Sequence, residues 1–251
     1  MEDGLLYYSG WTLEAKVALA FEEEQLATAA QGSPVLVCSS WERPVMVIGY
    51  GQAAESVSLP ACQRLAIPVL RRITGGTGVL HHQAISISLA LPSSHPWAAT
   101  ISSLYDGFTE SIRAALSGKG LTIERGHGHG GGPRERSPIC FEDQLTESLL
   151  TGGRKVLGCA QARRNRSVLV HGTLLLGLDA KLQAAAFGVE EERIINAMAP
   201  LPPECSASAE NDIARRLAEG AGFPLVKAEP PKTVSAEYLA RYSTRRWALL
   251  P

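Results

Sequence analysis

A glycine-rich segment between two apolar, strand-like runs most constrains the fold of this chain. Residues 67–70 are Ile-Pro-Val-Leu, residues 71–82 are Arg-Arg-Ile-Thr-Gly-Gly-Thr-Gly-Val-Leu-His-His, and an alternating apolar run follows at 84–91. Glycine permits positive φ and close approach of another group. The N–H groups of such a turn, beside two guanidinium groups, suit an anionic or strongly polar ligand. On this segment alone, a ligand site and a β-hairpin turn with solvated arginines are equally good interpretations.

The order of apolar patterns along the chain predicts an α+β fold, a mixed β-sheet packed by helices with a helical C-terminal portion. Thr12 is the predicted N-cap of the first helix. We expect one unit over residues 1–200 and a helical extension or small accessory subdomain over 201–251. The predicted strands are 35–38, 45–48, 67–72, 78–91, 121–123, 139–141, 147–150, 154–161 and 168–176, and the predicted helices are 12–30, 54–66, 98–117, 179–187, 190–198, 206–220 and 235–243.

Composition excludes several classes of function. The 251 residues carry a formal net charge of −1, which gives no basis for non-specific binding to nucleic acid or to an anionic membrane surface. The acidic start Met-Glu-Asp-Gly is not followed by an apolar run, so no secretory signal is predicted. No apolar stretch is long enough to span a membrane. The five cysteines are scattered without a Cys-x-x-Cys pair, so neither zinc nor a disulfide framework is predicted. We expect a cytoplasmic protein.

A low-complexity loop with two histidines interrupts the pattern of strands and helices. Residues 126–133 are Gly-His-Gly-His-Gly-Gly-Gly-Pro. Two histidines at this spacing suit a metal, yet no further ligands stand nearby in the sequence. A mobile loop or flap is the preferred interpretation, and no metal site is predicted.

Residues 140–179 contain the candidate catalytic groups. Cys140 stands between a proline-containing segment and Phe141, and a thiolate can take an acyl group from a thioester. Lys155 follows the Gly152-Gly153 turn, where it can donate to a carbonyl or phosphate oxygen. The alternatives are a small buried cysteine and a solvated hairpin lysine. From the residues alone, both alternatives stay open.

Three ordered motifs in this chain resemble the signatures of the lipoate–protein ligase and octanoyltransferase family. Residues 71–81 resemble its Arg-Arg-x-x-Gly-Gly-Gly-x-Val-x-His signature, with Thr77 in place of the third glycine. Residues 153–161 resemble its second signature, and residues 171–179 its third. Leu-Ala-x-Glu-Glu at 19–23 and Gly-Tyr-x-Gln at 49–52 resemble its opening helix and second strand. The resemblance covers residues 10–190 in the family's order.

This resemblance implies the biotin/lipoyl ligase catalytic fold with helices on one side of the sheet, and it makes residues 1–200 the catalytic domain. It implies an octanoyl or lipoyl chain near the glycine turn and a lipoyl-domain lysine as acceptor. Cys140 and Lys155 become the expected catalytic residues. The residues expected to bind the acyl group or an adenylate are Arg71, Arg72, Gly75, Gly76, Thr77, Val79, His81, Gly158, Ala160, His171, Gly172 and Thr173.

The family divides into two chemistries, and the sequence most resembles its cysteine-dependent octanoyltransferases. Cys140-Phe141 stands 15 residues before Lys155, as the transferase motif requires. A transferase takes octanoate from acyl carrier protein and needs no cofactor. The alternative is an ATP-dependent and Mg²⁺-dependent ligase that makes an acyl-adenylate. Residues 161–164 and 171–175 resemble ligases as much as transferases. His82 and Thr146-Glu147 depart from the family pattern. A third hypothesis is a non-catalytic protein that binds lipoyl domains or an acyl chain.

Overall fold

A computed structural model describes residues 4–128, 137–164, 166–231 and 233–249. The strands are β1 (Leu5–Leu13), β2 (Val35–Trp41), β3 (Val45–Ile48), β4 (Val69–Arg71), β5 (Val79–His81), β6 (Ala84–Pro92), β7 (Glu124–Arg125), β8 (Leu149–Thr151), β9 (Arg154–Arg164), β10 (Ser167–Leu175) and β11 (Leu225–Lys227). The helices are α1 (Ala15–Ala29), α2 (Leu59–Arg64), α3 (Ile101–Ser117), α4 (Ala180–Phe187), α5 (Glu191–Ala197), α6 (Pro203–Ala221), α7 (Ala236–Tyr242) and α8 (Arg245–Ala248), with short 3-10 turns at Ala54–Ser56 and Pro96–Ala98.

Two mixed sheets form the framework, which confirms the predicted α+β class. The large sheet has the strand order β11-β1-β2-β6-β10-β9-β8-β7, and the small sheet has the order β4-β3-β5. In the large sheet, β1 runs parallel to both of its neighbours, β11 and β2. All the other neighbouring pairs of that sheet, β2–β6, β6–β10, β10–β9, β9–β8 and β8–β7, are antiparallel. In the small sheet, β3 is parallel to β4 and antiparallel to β5.

Helices cover both faces of the large sheet, which corrects the expectation of helices on one side. Alternating side chains of β10 separate the two layers because successive residues of a strand point to opposite faces. Val168, Val170 and Leu174 pack in the core with α3 and α6, whereas Leu169 packs with α1. Helices α2, α4 and α5 pack on the small sheet around a separate core.

The first helix begins later than predicted because a strand precedes it. Residues Leu5–Leu13 form β1, so Thr12 is not a helix cap, and the observed cap is Glu14. The buried side chains of Leu5 and Tyr7 alternate with partly exposed ones, but Gly10 has φ +63° and interrupts the regular pairing between Tyr8 and Trp11. Parallel pairing with distant strands stabilises this segment, and local pattern does not reveal it.

The strand order excludes one of the two interpretations of residues 71–82, the β-hairpin turn. Strand β3 lies between β4 and β5, so the segment joins two strands that are not neighbours. The predicted strand 78–91 is divided into β5 and β6, which belong to different sheets. The break falls at Gln83, whose φ is +50° and whose carbonyl accepts from the N–H groups of Leu176 and Gly177. The glycine segment therefore lies at the junction of the two sheets.

Two short strand predictions also fail. Residues 121–123 are irregular, and the adjacent strand is β7. At 139–141 a single bridge pairs Ile139 with Gly78, and the Cys140 N–H donates to the Gly78 carbonyl (2.9 Å). The chain then turns, with the N–H of Glu142 donating to the Ile139 carbonyl. Cys140 therefore stands at the start of a turn that is fixed to the end of the glycine segment.

Residues after 200 contact the rest of the chain through several elements. Helix α6 contributes Ala209, Ile213 and Leu217 to the core that α3 covers. Strand β11 pairs with β1, and α7 packs on α1. The helical prediction for this portion is confirmed for α6 and α7, whereas the division after residue 200 stays a prediction. Within the described ranges, no helix is long and apolar enough to cross a membrane.

Candidate active site

Cys140 and Lys155 lie side by side, as the sequence interpretation requires. The Nζ atom of Lys155 is 3.9 Å from the Cys140 Sγ, and it donates to the carbonyl oxygens of Cys140 (2.7 Å) and Asp143 (2.9 Å). Lys155 is only 2% exposed, so the alternative of a solvated hairpin lysine is excluded. An ammonium group has three N–H donors. Two of them hold the 140–143 turn, and the third can be directed to the thiol sulfur.

Local sequence explains why Lys155 reaches this position. Gly152 and Gly153 both have positive φ, at +55° and +73°, and they form the tight turn between β8 and β9. Antiparallel strands joined by such a two-residue turn have a fixed register. Leu150 pairs with Lys155 across this hairpin. The backbone carbonyl of Lys155 also accepts from the Ala199 N–H (3.0 Å), which ties the strand to the segment after α5.

A cavity of about 240 Å³ opens beside this pair. Its wall includes residues from the glycine segment, the start of α3, the turn after Cys140 and strand β9. The lining residues are Gly75, Gly76, Thr77, Ile101, Tyr105, Cys140, Asp143, Leu145, Glu147, Ser148, Lys155, Cys159, Ala160 and Gln161.

A narrow passage of about 20 Å³ continues from the same cysteine between the small sheet and strands β9 and β10. It has room for about one water molecule. A ligand larger than water therefore enters it only when the side chains along the passage move apart. The lining residues are Arg72, Val79, His81, Cys140, Gly158, Cys159, Ala160, His171, Gly172 and Thr173.

The register between β9 and β10 brings the second and third signatures to the same place. His171 pairs with Ala160, and Thr173 pairs with Gly158. Directly opposite residues in antiparallel strands point to the same face. The imidazole of His171 and the hydroxyl of Thr173 therefore stand over two residues with small or absent side chains. This open strip beside Cys140 forms the floor of the passage.

A side chain at position 158 is expected to obstruct the reactive pair. A Cβ at Gly158 would lie 3.1 Å from the Cys140 Sγ and 3.2 Å from the Lys155 Cε, closer than ordinary van der Waals contact. We expect Gly158→Ala to lower the rate of Cys140 alkylation by iodoacetamide, measured by mass spectrometry. Gly51→Ala is the control because a Cβ there has no atom within 4 Å. Equal alkylation of both variants would contradict the proposed contact.

The glycine turn is held by the buried guanidinium of Arg72. Its Nη2 donates to the carbonyls of Gly75 (2.7 Å) and Thr77 (3.0 Å), and its Nε donates to Gly75 (3.2 Å). Gly76 has φ +85°, and a Cβ there would lie 2.9 Å from the Arg72 Nη2. Glycine is required at this position by both conformation and space. The turn is thereby fixed where its Gly75, Gly76 and Thr77 line the cavity.

Arg71 does not line the described cavity or passage, so its expected role in binding an acyl group or an adenylate stays a prediction. Its Nη1 donates to the carbonyls of Gly49, Tyr50 and Gln52 at 2.7–2.8 Å. The backbone carbonyl of Arg71 accepts from the Trp247 Nε1 (2.8 Å), and its Nε donates to the Trp247 carbonyl (3.2 Å). Only 1% of Arg71 is exposed. The side chain therefore supports the loop after β3 and the attachment of α8.

Loss of this guanidinium is expected to cost stability. In Arg71→Lys the charge stays, but one ammonium cannot reach all the carbonyls that the guanidinium fork binds. We expect the free energy of unfolding to fall by about 2–4 kcal/mol, since buried acceptors are left without donors. Urea unfolding followed by circular dichroism measures this change. Arg64→Lys, on the exposed end of α2, is the matched control. A loss below about 0.5 kcal/mol, typical of surface changes, would contradict the structural role.

The two histidines of the site contact residues that the sequence interpretation gave no role, namely Glu22, Thr74 and Trp41. His171 bonds the Glu22 carboxylate through Nδ1 (2.6 Å) and the Thr74 hydroxyl through Nε2 (2.8 Å). His81 stacks on Trp41 with 3.9 Å between ring centroids, and burial holds the pKa of His81 well below its usual range. Glu22 and Thr74 lie inside the motifs that resemble the family, so those motifs could have indicated that both residues belong to the site. No motif contains Trp41, and nothing in the sequence indicated its place in the site.

Metal binding finds no support in the described residues. The described ranges contain no group of three or more histidine, cysteine or acidic side chains arranged to hold a metal ion. His129 lies outside the described residues, so the flap and the two-histidine alternative at 126–133 stay predictions. The five cysteines are all free thiols.

Comparison with solved structures identifies the fold. The structure matches lipoate-protein ligase A bound with ATP with a TM-score of 0.77, at 23% identity and over 99% of each chain. It matches a bi-partite lipoate protein ligase from Thermoplasma acidophilum, solved in a study with its E2 lipoyl domain, with a TM-score of 0.75 at 21% identity, over 99% of this chain and 96% of that one. The mixed sheets packed by helices thus form the catalytic fold of lipoate–protein ligases.

Sequence comparison gives the family. The chain belongs to the lipoyl protein ligase A/B catalytic domain family, whose model matches residues 14–213. Octanoyltransferase LipM of Carboxydothermus hydrogenoformans is 35% identical over 165 residues, covering 64% of this chain and 61% of that protein. Octanoyltransferase LipM of Geobacillus kaustophilus is 31% identical over 185 residues, covering 70% and 66%. The chain spans less than two thirds of the length of these curated relatives.

Proposed function

We propose that the protein transfers an octanoyl group from a thioester donor to the lysine of a lipoyl domain through an acyl-Cys140 intermediate. The observation that carries this proposal is the Lys155 Nζ, 3.9 Å from the Cys140 Sγ in a cavity open to a substrate. The similarity to octanoyltransferases named LipM supports the same chemistry. The acyl group is octanoyl or, as the second choice, lipoyl.

The reaction has two half-reactions that share one thioester. The Cys140 thiolate attacks the donor carbonyl, a C–S bond to Cys140 forms, and the donor thiolate leaves and takes a proton. The acceptor amine then attacks the new thioester, a C–N bond forms, and the C–S bond breaks. The amine proton returns to the Cys140 sulfur. Lys155 donates to the developing oxyanion in both steps, the kind of stabilisation that fixed cationic donors supply.

The residues around the passage have binding and supporting roles in this proposal. Gly158, Ala160, Gly172 and Thr173 flank the acyl chain, which enters the passage beyond Cys140. Val79, His81 and His171 form its far walls. Gly75, Gly76 and Thr77, fixed by Arg72, form the side of the cavity next to the acyl head.

An ATP-dependent lipoate–protein ligase is the second candidate, supported by the structural similarity to a ligase solved with ATP. The place of the Cys140 thiol in this cavity, beside the Lys155 ammonium, favours the transferase. In the ligase alternative, ATP and Mg²⁺ are required and Cys140 is dispensable. In the transferase, no cofactor takes part.

The proposed partners are a lipoyl domain as the acyl acceptor and an acyl carrier protein as the acyl donor. The proposed location is the cytoplasm. The structural neighbour from Thermoplasma acidophilum was studied with its E2 lipoyl domain, which supports a lipoyl-domain acceptor. Five free thiols agree with a reducing compartment.

One experiment separates the candidate functions. A lipoyl domain is incubated with the protein and either octanoyl carrier protein, octanoate or lipoate, each with and without ATP and Mg²⁺, and is then weighed by mass spectrometry. The transferase adds an octanoyl mass from the carrier protein without ATP. The ligase modifies the domain only with free acid and ATP. A non-catalytic binding protein modifies it under no condition, and that result would contradict the proposed function.

A further inference from the structure

The cavity beside Cys140 contains a carboxylate for which the two half-reactions above have no use. Glu147 lines the cavity with Cys140 and Lys155 and is partly buried. Its Oε2 accepts from the Thr146 hydroxyl (3.2 Å). Within the described parts of the chain, no basic side chain forms an ion pair with this carboxylate. An acidic group placed in a substrate cavity without a cationic partner is suited to a cationic substrate group.

The carboxylate of Glu147 lies near two other residues that line the cavity, Tyr105 and Cys159. Burial raises the pKa of Tyr105, and the negative charges of Cys159 and Glu147 raise it further. Burial is also the main cause of the raised pKa of Cys159; Lys155 acts against it, and Glu147 adds to it. Tyr105 comes from α3 and Cys159 from β9, on different sides of the cavity. Glu147 is therefore within electrostatic range of both walls.

The other titratable groups around Glu147 have different tasks. Lys155 directs two donors to carbonyls and the third to the Cys140 sulfur and the reacting carbonyl, and as a cation it repels a substrate ammonium. The raised pKa values of Tyr105 and Cys159 keep both groups protonated at neutral pH. Arg125 from β7 donates to the Thr146 carbonyl (2.9 Å) and pairs with Asp106 (2.6 Å). The remaining acid of the cavity wall is Asp143, whose own carbonyl accepts from Lys155.

The chemistry of the second half-reaction requires a group of this kind. A lysine amine has a pKa of about 10.4 and is therefore an ammonium ion at neutral pH. An ammonium ion has no lone pair and cannot attack the acyl-Cys140 thioester. We propose that Glu147 binds the ammonium of the acceptor lysine and accepts its proton, while Ile101 and Leu145 at the cavity wall contact its methylene chain. This inference rests on the proposed transferase function.

The protons and bonds balance without a further reactant. The acceptor ammonium gives one proton to the Glu147 carboxylate and becomes a neutral amine. The amine attacks the thioester, the C–N bond forms, and the C–S bond to Cys140 breaks. The second amine proton goes to the leaving Cys140 thiolate. Protonated Glu147 then releases its proton to water as the modified lysine leaves. Glu147 is thus the base of the second half-reaction, and it does not enter the first.

The test measures the two half-reactions separately in Glu147→Gln. We expect acyl-Cys140 formation from octanoyl carrier protein to be unchanged. We expect transfer from acyl-Cys140 to a lipoyl domain to fall by about 100-fold at pH 7, the scale of general base catalysis. The deficit is expected to shrink as the pH rises toward 10, because the lysine then loses its proton to water. Glu124→Gln, on exposed β7, is the matched control and is expected to behave as the unchanged protein.

A neutral nucleophile supplies the readout that a structural defect would not give. Hydroxylamine is uncharged at neutral pH, so its reaction with acyl-Cys140 is expected to be the same in both proteins. Glu147→Asp keeps the carboxylate and is expected to recover part of the lysine transfer. Equal slowing of lysine and hydroxylamine reactions, or no slowing of either, would overturn the role of Glu147. If the unchanged protein forms no acyl-Cys140, the proposed function itself fails and this inference fails with it.

Discussion

Replacing Cys140 by alanine is expected to abolish octanoyl transfer from carrier protein to a lipoyl domain. The thiol is the atom that bonds to the acyl group in the proposed reaction, and no other group at this position can replace it. We expect a loss of at least about 10³-fold in transfer rate, in the range found when a nucleophile is removed from an enzyme. Mass spectrometry of the protein itself is expected to show the octanoyl adduct on the unchanged protein and none on the variant.

Cys205→Ala is the control for this change. Cys205 is a buried thiol on α6, a helix that packs against α3 and contributes none of the described residues that line the cavity. We expect the Cys205→Ala variant to transfer the octanoyl group at the rate of the unchanged protein. Full transfer by Cys140→Ala would exclude the thioester mechanism. If that transfer required ATP and free acid, the ligase alternative would replace it.

Replacing Lys155 by methionine is expected to have the second largest effect. The variant keeps most of the side-chain volume but removes the cation next to the Cys140 sulfur and the donor to the developing oxyanion. We expect the rate of acyl-Cys140 formation to fall by about 10²–10³-fold, the usual cost of one lost donor in an oxyanion site. Rapid-quench measurement of the octanoyl adduct gives this rate directly.

Structural damage has to be separated from lost catalysis in this variant. Without Lys155, the carbonyls of Cys140 and Asp143 lose a donor, which we expect to cost about 1–3 kcal/mol of unfolding free energy. Lys181→Met, an exposed change on α4, is the control for loss of one lysine. Lys155→Arg keeps a charged donor and is expected to retain more of the rate than methionine. A methionine variant that is destabilised yet acylates normally would show that Lys155 only holds the turn.

Much of the candidate site could be predicted from the local sequence. The Gly152-Gly153 turn fixes the β8–β9 hairpin and hence the place of Lys155. Strands β9 and β10 form close to where the sequence predicts them, and their observed register pairs Thr173 with Gly158. The expected binding residues lie around the cavity and passage, with the exception of Arg71. Their roles remain predictions that the variants above test.

The failures share one physical origin. Arg71 and Arg72 are identical and adjacent in the sequence, yet one supports the loop after β3 and the other holds the glycine turn. The partner Trp247 is 176 residues from Arg71 along the chain. No local pattern contains such a contact. The same holds for the hairpin around residues 71–82, because turn chemistry alone did not reveal that β3 inserts between its two strands.

By itself, the sequence determined the elements whose form depends on neighbouring residues. Glycine turns, alternating strands and the spacing of Cys140 to Lys155 depend on backbone sterics and the two-residue period of a strand. Tertiary structure alone decided which groups meet across long separations, such as Glu22 and His171, which are 149 residues apart. It also placed Glu147 in the cavity with Cys140. Such contacts depend on how sheets and helices pack, and packing is a property of the whole chain.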